Sequence, residues 1–524
     1  MENSIGVPAA AKESATTTAD VTKVSESILF LEYEEATALI RSFVDASSDL
    51  SSRNNSLAAL REIFDKYLEC PSLLDHHVEP MVNVLTESAV EHLSTIETTQ
   101  AFSRSPLPHI LSALYALSKV RGRKRIQKYL PHEVPVVEIV LKALMLLEDN
   151  QQVHIAASSE PMSSSEGPPR WESQYTLWNW IGILSLVPFD CSVVADETLA
   201  ATLIQLAKIN LSHTGPSREV SASSLASWLS RPDMEKNQLP DFIKWTKDVL
   251  DGYIKRPNDQ SNIFRTMGAL QTIVTILKVS NAERSTLIEL FTPSLWESTT
   301  KISEGYPSNI ILRKLLLKWW TRLSCAFLPP RIAPWRYQRG SRSLKDNLRQ
   351  AAEDGKADGN TNPSSAYLGE TVEEQKCENI FFVPDQVEDA MGQVISGLSD
   401  PSTVVRWSAA KGIGRITERL PALCGEDVLD AVLELFNDIE KDHAWQGACL
   451  ALAELARRGL LLPHRLHEVM PRLCQAVHVS DRPFSANYLQ GNGNFRQGLT
   501  IDSSVRCPST PDKRWGACAR RCLL

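Results

Sequence analysis

The chain has 524 residues, of which 43% are hydrophobic and 23% are charged, and its formal net charge is -8. This length exceeds that of one compact core, so the chain must form several domains or an extended repeat array, and its apolar content excludes wholesale disorder. The negative charge argues against nucleic acid and anionic membranes as partners, because both require a positive field.

Targeting and redox signals are weak. The first residues lack the basic and apolar regions of a signal peptide. The longest strongly apolar stretch, 178–187, has about half of the ~20 residues that a membrane-spanning helix needs. Ten cysteines occur without framework spacing, which indicates reduced thiols. We therefore expect a cytoplasmic protein with no membrane span.

The N-terminal part of the chain is predicted to be helical. Residues 1–26 show no apolar periodicity and are interpreted as a disordered tail. From 27 to 337, amphipathic segments alternate with short breaks, as stacked helical hairpins require. A longer Ser- and Pro-containing break at 151–170 is predicted to be a loop. Three segments place their apolar side chains on one stripe: 57–68, 136–147 and 309–327.

A clearer repeat follows a predicted flexible linker at 338–375. In the central HEAT segment, 376–478, two units recur with a period of 39 residues, from Ala409 to Ala448. The predicted inward-facing residues are Val405, Ala409, Gly412, Ile413 and Ile416 in the first unit, and Ala444, Ala448, Ala451, Leu452 and Leu455 in the second. Isolated helix pairs cannot bury such faces. The fold class is therefore predicted to be all-α, a HEAT/armadillo-type α-solenoid of stacked helical hairpins.

One polar pair resembles a feature of HEAT repeats. In those repeats an Asp in the turn and an Arg six positions later form a ladder between neighbouring units. Asp400 and Arg406 have this spacing. The next unit has Ile439 and Trp445 at the aligned positions. We therefore predict that the ladder is interrupted after the first unit.

Motifs for chemistry are not found. The sequence has no phosphate-binding loop, no Gly-x-Ser-x-Gly elbow and no His-Glu-x-x-His. His464 and His467 could share a helix face but lack a third metal ligand nearby. The sequence also has three late cysteines without paired Cys-x-x-Cys spacing: Cys507, Cys518 and Cys522. We predict no catalytic, cofactor-binding or metal site, and hence no enzyme.

The strongest run of charge is basic. It consists of Lys119, Arg121, Arg123, Lys124, Arg125 and Lys128. One interpretation is a solvated corner between two helices. The other is a patch for an acidic partner, where clustered cations would speed encounter more than they add affinity. Both interpretations stay open at this point.

Four segments, in order, resemble the tubulin-folding cofactor D family. The first has Trp-Glu-x-x-Tyr at 171–175 and Val-Pro-Phe-Asp at 187–190. The others are 334–344, 403–416 and 444–463. The resemblance covers about residues 27–477, which corresponds to the N-terminal portion and less than half of a full family member. Residues 479–524 depart from the family and are predicted to form an irregular, aberrant tail.

The resemblance implies a non-catalytic chaperone that captures β-tubulin and helps assemble or dismantle the αβ-tubulin heterodimer. It implies cofactors E and C and an Arf-like small GTPase as partners, stimulation of GTP hydrolysis by tubulin, and association with the microtubule cytoskeleton. The acidic tail of a tubulin would then be a candidate ligand for the basic run. Fold does not fix the client, so a karyopherin-like carrier or a phosphatase scaffold stays an alternative. A second alternative is an arginine finger acting on a bound GTPase.

Overall fold

The computed structural model describes residues 30–44, 49–157, 167–190, 198–280, 284–330, 383–437 and 442–480. Every regular element in these ranges is a helix, so the predicted all-α class is confirmed. The predicted tail at 1–26, the linker at 338–375 and the region from 481 onward lie outside the described residues. In the ranges above, no helix is long and apolar enough to cross a membrane.

The chain forms two compact units, Met1–Ala282 and Glu283–Leu524. The helices of unit 1 are α1 Tyr33–Val44, α2 Leu50–Asp65, α3 Asp75–Thr95, α4 Thr99–Arg104, α5 Leu107–Arg121, α6 Arg123–Ile126, α7 Val134–Ala157, α8 Arg170–Leu184, α9 Thr198–Asn210, α10 Pro216–Leu229, α11 Pro232–Asn237, α12 Leu239–Lys255 and α13 Gln260–Val279.

Unit 1 is a stack of helical hairpins. The second helices of successive hairpins, α5, α8, α10 and α13, pack on one another in chain order, and α2 packs on α5. The first helices α3, α7, α9 and α12 each cover the second helix of their own hairpin. The second helices therefore have neighbours on several sides. Accordingly, α5, α8 and α10 have buried residues around most of their circumference.

Two helices of unit 1 extend beyond the predicted bounds. Helix α2 begins at Leu50, before the predicted start at 57, because the Asp49 side chain caps it by accepting a hydrogen bond from the Ser52 N–H at 3.3 Å. Polar residues follow this cap, so apolar periodicity does not indicate that the helix starts at Leu50. Helix α7 runs to Ala157, so the first residues of the predicted 151–170 loop are helical.

Unit 2 repeats the hairpin arrangement. Its helices are α14 Arg284–Glu304, α15 Ile310–Phe327, α16 Asp385–Ser396, α17 Thr403–Thr417, α18 Ala422–Glu434, α19 Asp442–Arg457 and α20 Leu466–Ser480. The second helices α15, α17 and α19 stack in order, while α14, α16 and α18 pack against them. All ten residues predicted to face inward on α17 and α19 are buried.

Helix α15 belongs structurally with the central repeats. The sequence pattern grouped 309–327 with the N-terminal segment, on the other side of the predicted linker. In the structure α15 packs against both α16 and α17. Its Trp319 and Trp320 are buried, and Trp319 Nε1 donates to Thr299 Oγ1 at 3.2 Å. The helices therefore group by packing across the linker rather than by their distance along the chain.

Candidate functional site

The predicted polar pair at Asp400 is part of a longer connection between hairpins. The Asp400 carboxylate accepts hydrogen bonds from Arg313 Nε at 2.7 Å and from Arg313 Nη2 at 3.1 Å. Both side chains are at most 10% exposed. Arg313 also donates to the carbonyl oxygens of Pro307 and Ser308. The partner of the carboxylate is thus an arginine of the preceding hairpin, which the sequence did not identify.

Arg406 continues this connection in the other direction. Its Nη1 donates to the backbone carbonyl of Asp400 at 2.5 Å, not to the carboxylate. Its Nη2 donates to Thr403 Oγ1 at 2.9 Å and to the side-chain oxygen of Gln446 on α19. Burial lowers the pKa of Arg406, and Asp400 partly opposes that shift. The polar contacts therefore continue through Gln446, beside the Trp445 that was expected to end them.

The basic run does not form one positive surface. Lys119 Nζ lies 2.7 Å from Asp65 Oδ1, and Arg121 pairs through two nitrogens with Asp75, with Nη2 at 2.6 Å from Oδ2. Arg125 Nε lies 3.6 Å from Asp75 Oδ1. The hydrogen bond from Arg121 lowers the pKa of Asp75, as expected for a paired carboxylate. Half of the run is therefore neutralised locally.

The other three residues of the basic run lie in different environments. Arg123 packs toward α10, where its Nη2 donates to Ser223 Oγ at 3.0 Å, and burial lowers its pKa. Lys124 and Lys128 are exposed. Only two of the six cations thus face solvent without an ion pair among the described residues. This geometry favours the solvated-corner interpretation over a binding patch.

The two late histidines do not lie on one helix: His464 is in the 3-10 turn Pro463–Arg465, and His467 is in α20. His464 Nε2 lies 3.4 Å from Glu426 Oε1, and His467 Nδ1 lies 2.6 Å from the backbone oxygen of His464. Over the described ranges, no three His, Cys, Asp or Glu side chains are grouped as a metal ion requires. Cys507, Cys518 and Cys522 lie outside those ranges.

Unit 2 has a groove that the sequence analysis did not anticipate. It lies between the stacked second helices α15 and α17 and has a volume of about 550 Å³. The residues that line it are Lys314, Lys318, Thr321, Arg322, Thr403, Val404, Trp407, Ser408, Lys411, Gly412 and Arg415. Every charged residue in this lining is a cation. The charged side chains that line the groove are therefore of one sign, on a chain whose net charge is -8.

The cations form two rows, one on each helix. Lys314, Lys318 and Arg322 follow one another at intervals of four residues, which places them on one face of α15. Lys411 and Arg415 have the same interval on α17. The interval on α15 is visible in the sequence, but the second row becomes its neighbour only when the helices stack.

Apolar side chains accompany the cations. Trp407 and Val404 are each 51% exposed, although large apolar side chains are normally buried. Lys411 Nζ lies 4.9 Å from the centre of the Trp407 ring, a cation–π arrangement. The groove therefore offers a flat aromatic surface beside its positive charge.

The two helices approach closely beneath the groove. A Cβ at Gly412 would lie 2.5 Å from Thr321 Oγ1 and 3.0 Å from Val394 Cγ1, so a larger residue here would force these side chains to shift. Burial, and then the nearby charge of Arg415, lowers the pKa of Arg322 to about 10. The close packing of α15 and α17 therefore brings the positive charges of Arg322 and Arg415 near each other.

Comparison with known proteins gives two matches to family models. A model described as "Tubulin-specific chaperone D-like, ARM repeat" matches residues 64–250. A second, "Tubulin-specific chaperone D-like, ARM repeats", matches residues 311–490. The second match contains both helices of the groove and the Arg313–Asp400 pair.

Two full-length relatives agree with these matches. Tubulin-specific chaperone D of Dictyostelium discoideum is 26% identical over 510 residues, covering 79% of this chain and 34% of that protein. Tubulin-folding cofactor D of Schizosaccharomyces pombe is 23% identical over 467 residues, covering 85% of this chain and 36% of that protein. The chain thus spans about a third of the length of each relative. It belongs to the tubulin-specific chaperone D-like family of armadillo-repeat proteins.

Proposed function

We propose that the chain acts as a non-catalytic chaperone in tubulin folding. The observation that carries this proposal is the match of both units to tubulin-specific chaperone D-like models, over 64–250 and 311–490. The names of the two relatives, a tubulin-specific chaperone and a tubulin-folding cofactor, support the same role.

The client in this proposal is β-tubulin. Stacked hairpins expose rows of helices, and such a surface can hold a large folded protein through many modest contacts without covalent chemistry. The chain would capture β-tubulin and take part in assembly and disassembly of the αβ-tubulin heterodimer. It would do so in the cytoplasm, in association with the microtubule cytoskeleton.

The partners proposed for this work are cofactors E and C and an Arf-like small GTPase. In that assembly the cofactors would stimulate GTP hydrolysis by tubulin. The support for this part of the proposal is the family resemblance.

Binding to purified β-tubulin tests the role directly. We expect the chain to co-elute with β-tubulin in size-exclusion chromatography, and we expect an unrelated HEAT-repeat scaffold of similar charge not to do so. Recovery of nuclear-transport or phosphatase partners from lysate, together with a failure to bind purified β-tubulin, would instead support the other scaffold classes.

A further inference from the structure

We propose that Tyr306 is a phosphorylation site, and that a phosphate on its hydroxyl loosens the connection between two hairpins of unit 2. Tyr306 lies in the loop 305–309, between the end of α14 and the start of α15. The modifying enzyme would be a protein tyrosine kinase with ATP as the phosphoryl donor. The inference concerns a contact within unit 2, so it holds or fails independently of the tubulin client.

Access to solvent is the first argument. The structure describes seven tyrosines, and Tyr306 is the most exposed of them, with 55% of its surface accessible. The other six are half-buried or buried: Tyr33, Tyr67, Tyr115, Tyr129, Tyr175 and Tyr253. A position between two helices, rather than within one, also leaves the segment freer to enter the cleft of an enzyme.

The backbone at Tyr306 is strained. Its φ is +42°, and among the described residues it is the one non-glycine position with a positive φ. A bulky residue is an outlier in this region, and such conformations persist only where surrounding contacts hold them. Loss of those contacts would therefore let the loop relax.

Two contacts hold the side chain of Tyr306, and both involve the buried ion pair between the hairpins. Its hydroxyl donates to Asp400 Oδ2 at 3.1 Å. The guanidinium carbon of Arg313 lies 4.8 Å from the centre of the tyrosine ring, a cation–π arrangement. Tyr306 thus lies against both members of the pair, and its position is coupled to theirs.

Phosphorylation would turn the contact with Asp400 from attraction into repulsion. The phenolic oxygen bonds to the γ-phosphorus of ATP as the bond from that phosphorus to ADP breaks, and the phenolic proton passes to a base of the kinase. The modified oxygen then has no proton to donate, and the phosphate places a charge of about −1.5 to −2 beside the carboxylate. Negative charge is already disfavoured at this oxygen, because burial, and then the charge of Asp400, raises the pKa of Tyr306.

The donors of Arg313 are already engaged and do not offer the phosphate a good alternative. A guanidinium has five N–H groups. Nε and Nη2 donate to Asp400, and Nη1 donates to the carbonyl oxygens of Pro307 at 2.8 Å and Ser308 at 3.0 Å. The N–H that is left is too few for the two parallel hydrogen bonds with which arginine commonly holds a phosphate. We therefore expect the modified ring to leave the ion pair and the two hairpins to separate more readily.

In vitro phosphorylation of the purified chain by a broad-specificity tyrosine kinase, with ATP and Mg²⁺, tests where the phosphate is added. Trypsin cleaves after Lys301 and Arg313 and releases the peptide 302–313, which contains Tyr306 as its one tyrosine. Tandem mass spectrometry therefore assigns the site. Tyr306 should be modified roughly tenfold faster than each of the other six described tyrosines, because those must first be exposed by local opening.

Hydrogen exchange of the modified protein tests the consequence. Exchange should be roughly tenfold faster in 305–313 and 397–406, because a hydrogen bond to a charged group is lost there. It should stay unchanged in α5 and α8 of unit 1. Unchanged or slower exchange in 305–313 would overturn the proposal, since slower exchange would mean that Arg313 holds the phosphate in place.

Tyr129→Phe is the matched control for Tyr306→Phe, because each variant loses one phenolic hydroxyl. Tyr306→Phe should take up no phosphate in the peptide 302–313. Its exchange should rise less than that of the phosphorylated protein, because the ring can still lie against Arg313. Tyr129→Phe should change neither result, and circular dichroism checks that both variants are folded. Faster phosphorylation of another described tyrosine than of Tyr306 would also overturn the proposal.

Discussion

His109 lies in the interior of unit 1, where its side chain is 1% exposed. Its Nε2 lies 2.8 Å from Asn54 Oδ1, and its Nδ1 is buried without a hydrogen-bond partner among the described residues. A proton added to Nδ1 would be buried without an acceptor. Burial, and then the charges of Arg53 and Arg61, lowers the pKa of His109 to about 4.

This depressed pKa makes stability depend on pH. Below about pH 6.5 the unfolded chain binds a proton at His109 that the folded chain does not bind. The free energy of unfolding therefore falls as pH falls toward 4. The contribution approaches ~1.4 kcal/mol per pH unit. Urea unfolding of wild type and His109→Gln across this range should show a shallower slope for the variant.

The control for this measurement is Asn55→Gln, because Asn55 is exposed and neither side chain titrates. Its curve should run parallel to that of wild type. Carboxylates titrate in the same range, so the informative quantity is the difference between variants. Parallel curves for wild type and His109→Gln would contradict the prediction.

At the scale of helices, the contact of α19 with the turn before α17 depends on a glycine, Gly447, which has no side chain to separate them. A Cβ at Gly447 would lie 2.0 Å from the backbone oxygen of Leu398. Gly447→Ala must therefore displace α19, at a cost of about 1–3 kcal/mol for overpacking. Chemical denaturation followed by far-ultraviolet circular dichroism measures this loss.

Gly392 provides the opposite case on α16. It is exposed within the helix, and no atom lies within 4 Å of the Cβ that alanine would add. Gly392→Ala should therefore stabilise the protein by about 0.5–1 kcal/mol through helix propensity. If both alanine variants shifted stability in the same direction, backbone contact at Gly447 would not be the cause.

The inward faces of α17 and α19 could be predicted because burial follows each helix's own period. The partner of Asp400 could not, since Arg313 lies in another hairpin, 87 positions earlier. The same limit applies to the basic run, whose neutralising Asp65 and Asp75 come from earlier helices. Which helices become neighbours is decided by stacking, and pairings of this kind leave no local pattern in the sequence.

The groove between α15 and α17 could not be predicted for the same reason, because it depends on which helices become neighbours. The intervals of Lys314, Lys318 and Arg322 could have indicated a positive face on α15. The width of the site and the exposure of Trp407 depend on how α17 packs against that helix. Neither property is encoded within a single amphipathic segment.

At the scale of the molecule, the Arg313–Asp400 pair connects successive hairpins of unit 2. Asp400→Asn leaves the Arg313 charge buried without its counter-ion, which should cost about 3–5 kcal/mol. In repeat proteins each hairpin is stabilised chiefly by its neighbours. Hydrogen exchange should therefore accelerate in α14–α19 and stay unchanged in α2, α5 and α8.

An exposed ion pair is the control for this variant. Lys301 Nζ lies 2.6 Å from Glu297 Oε1, but these side chains are 55% and 80% exposed. Glu297→Gln should cost at most about 0.5 kcal/mol. Uniform acceleration of exchange throughout the chain in Asp400→Asn would show a single cooperative unit and contradict local stabilisation.

Gly412 allows the close approach of the two helices that carry the cation rows, because a Cβ at this position would meet the side chains of Thr321 and Val394. Replacing this one residue with a larger one would move α17 outward and widen the groove while leaving all five charges in place. Position 412 is therefore a point at which evolution or protein design can adjust the width of the groove without changing the charges that line it.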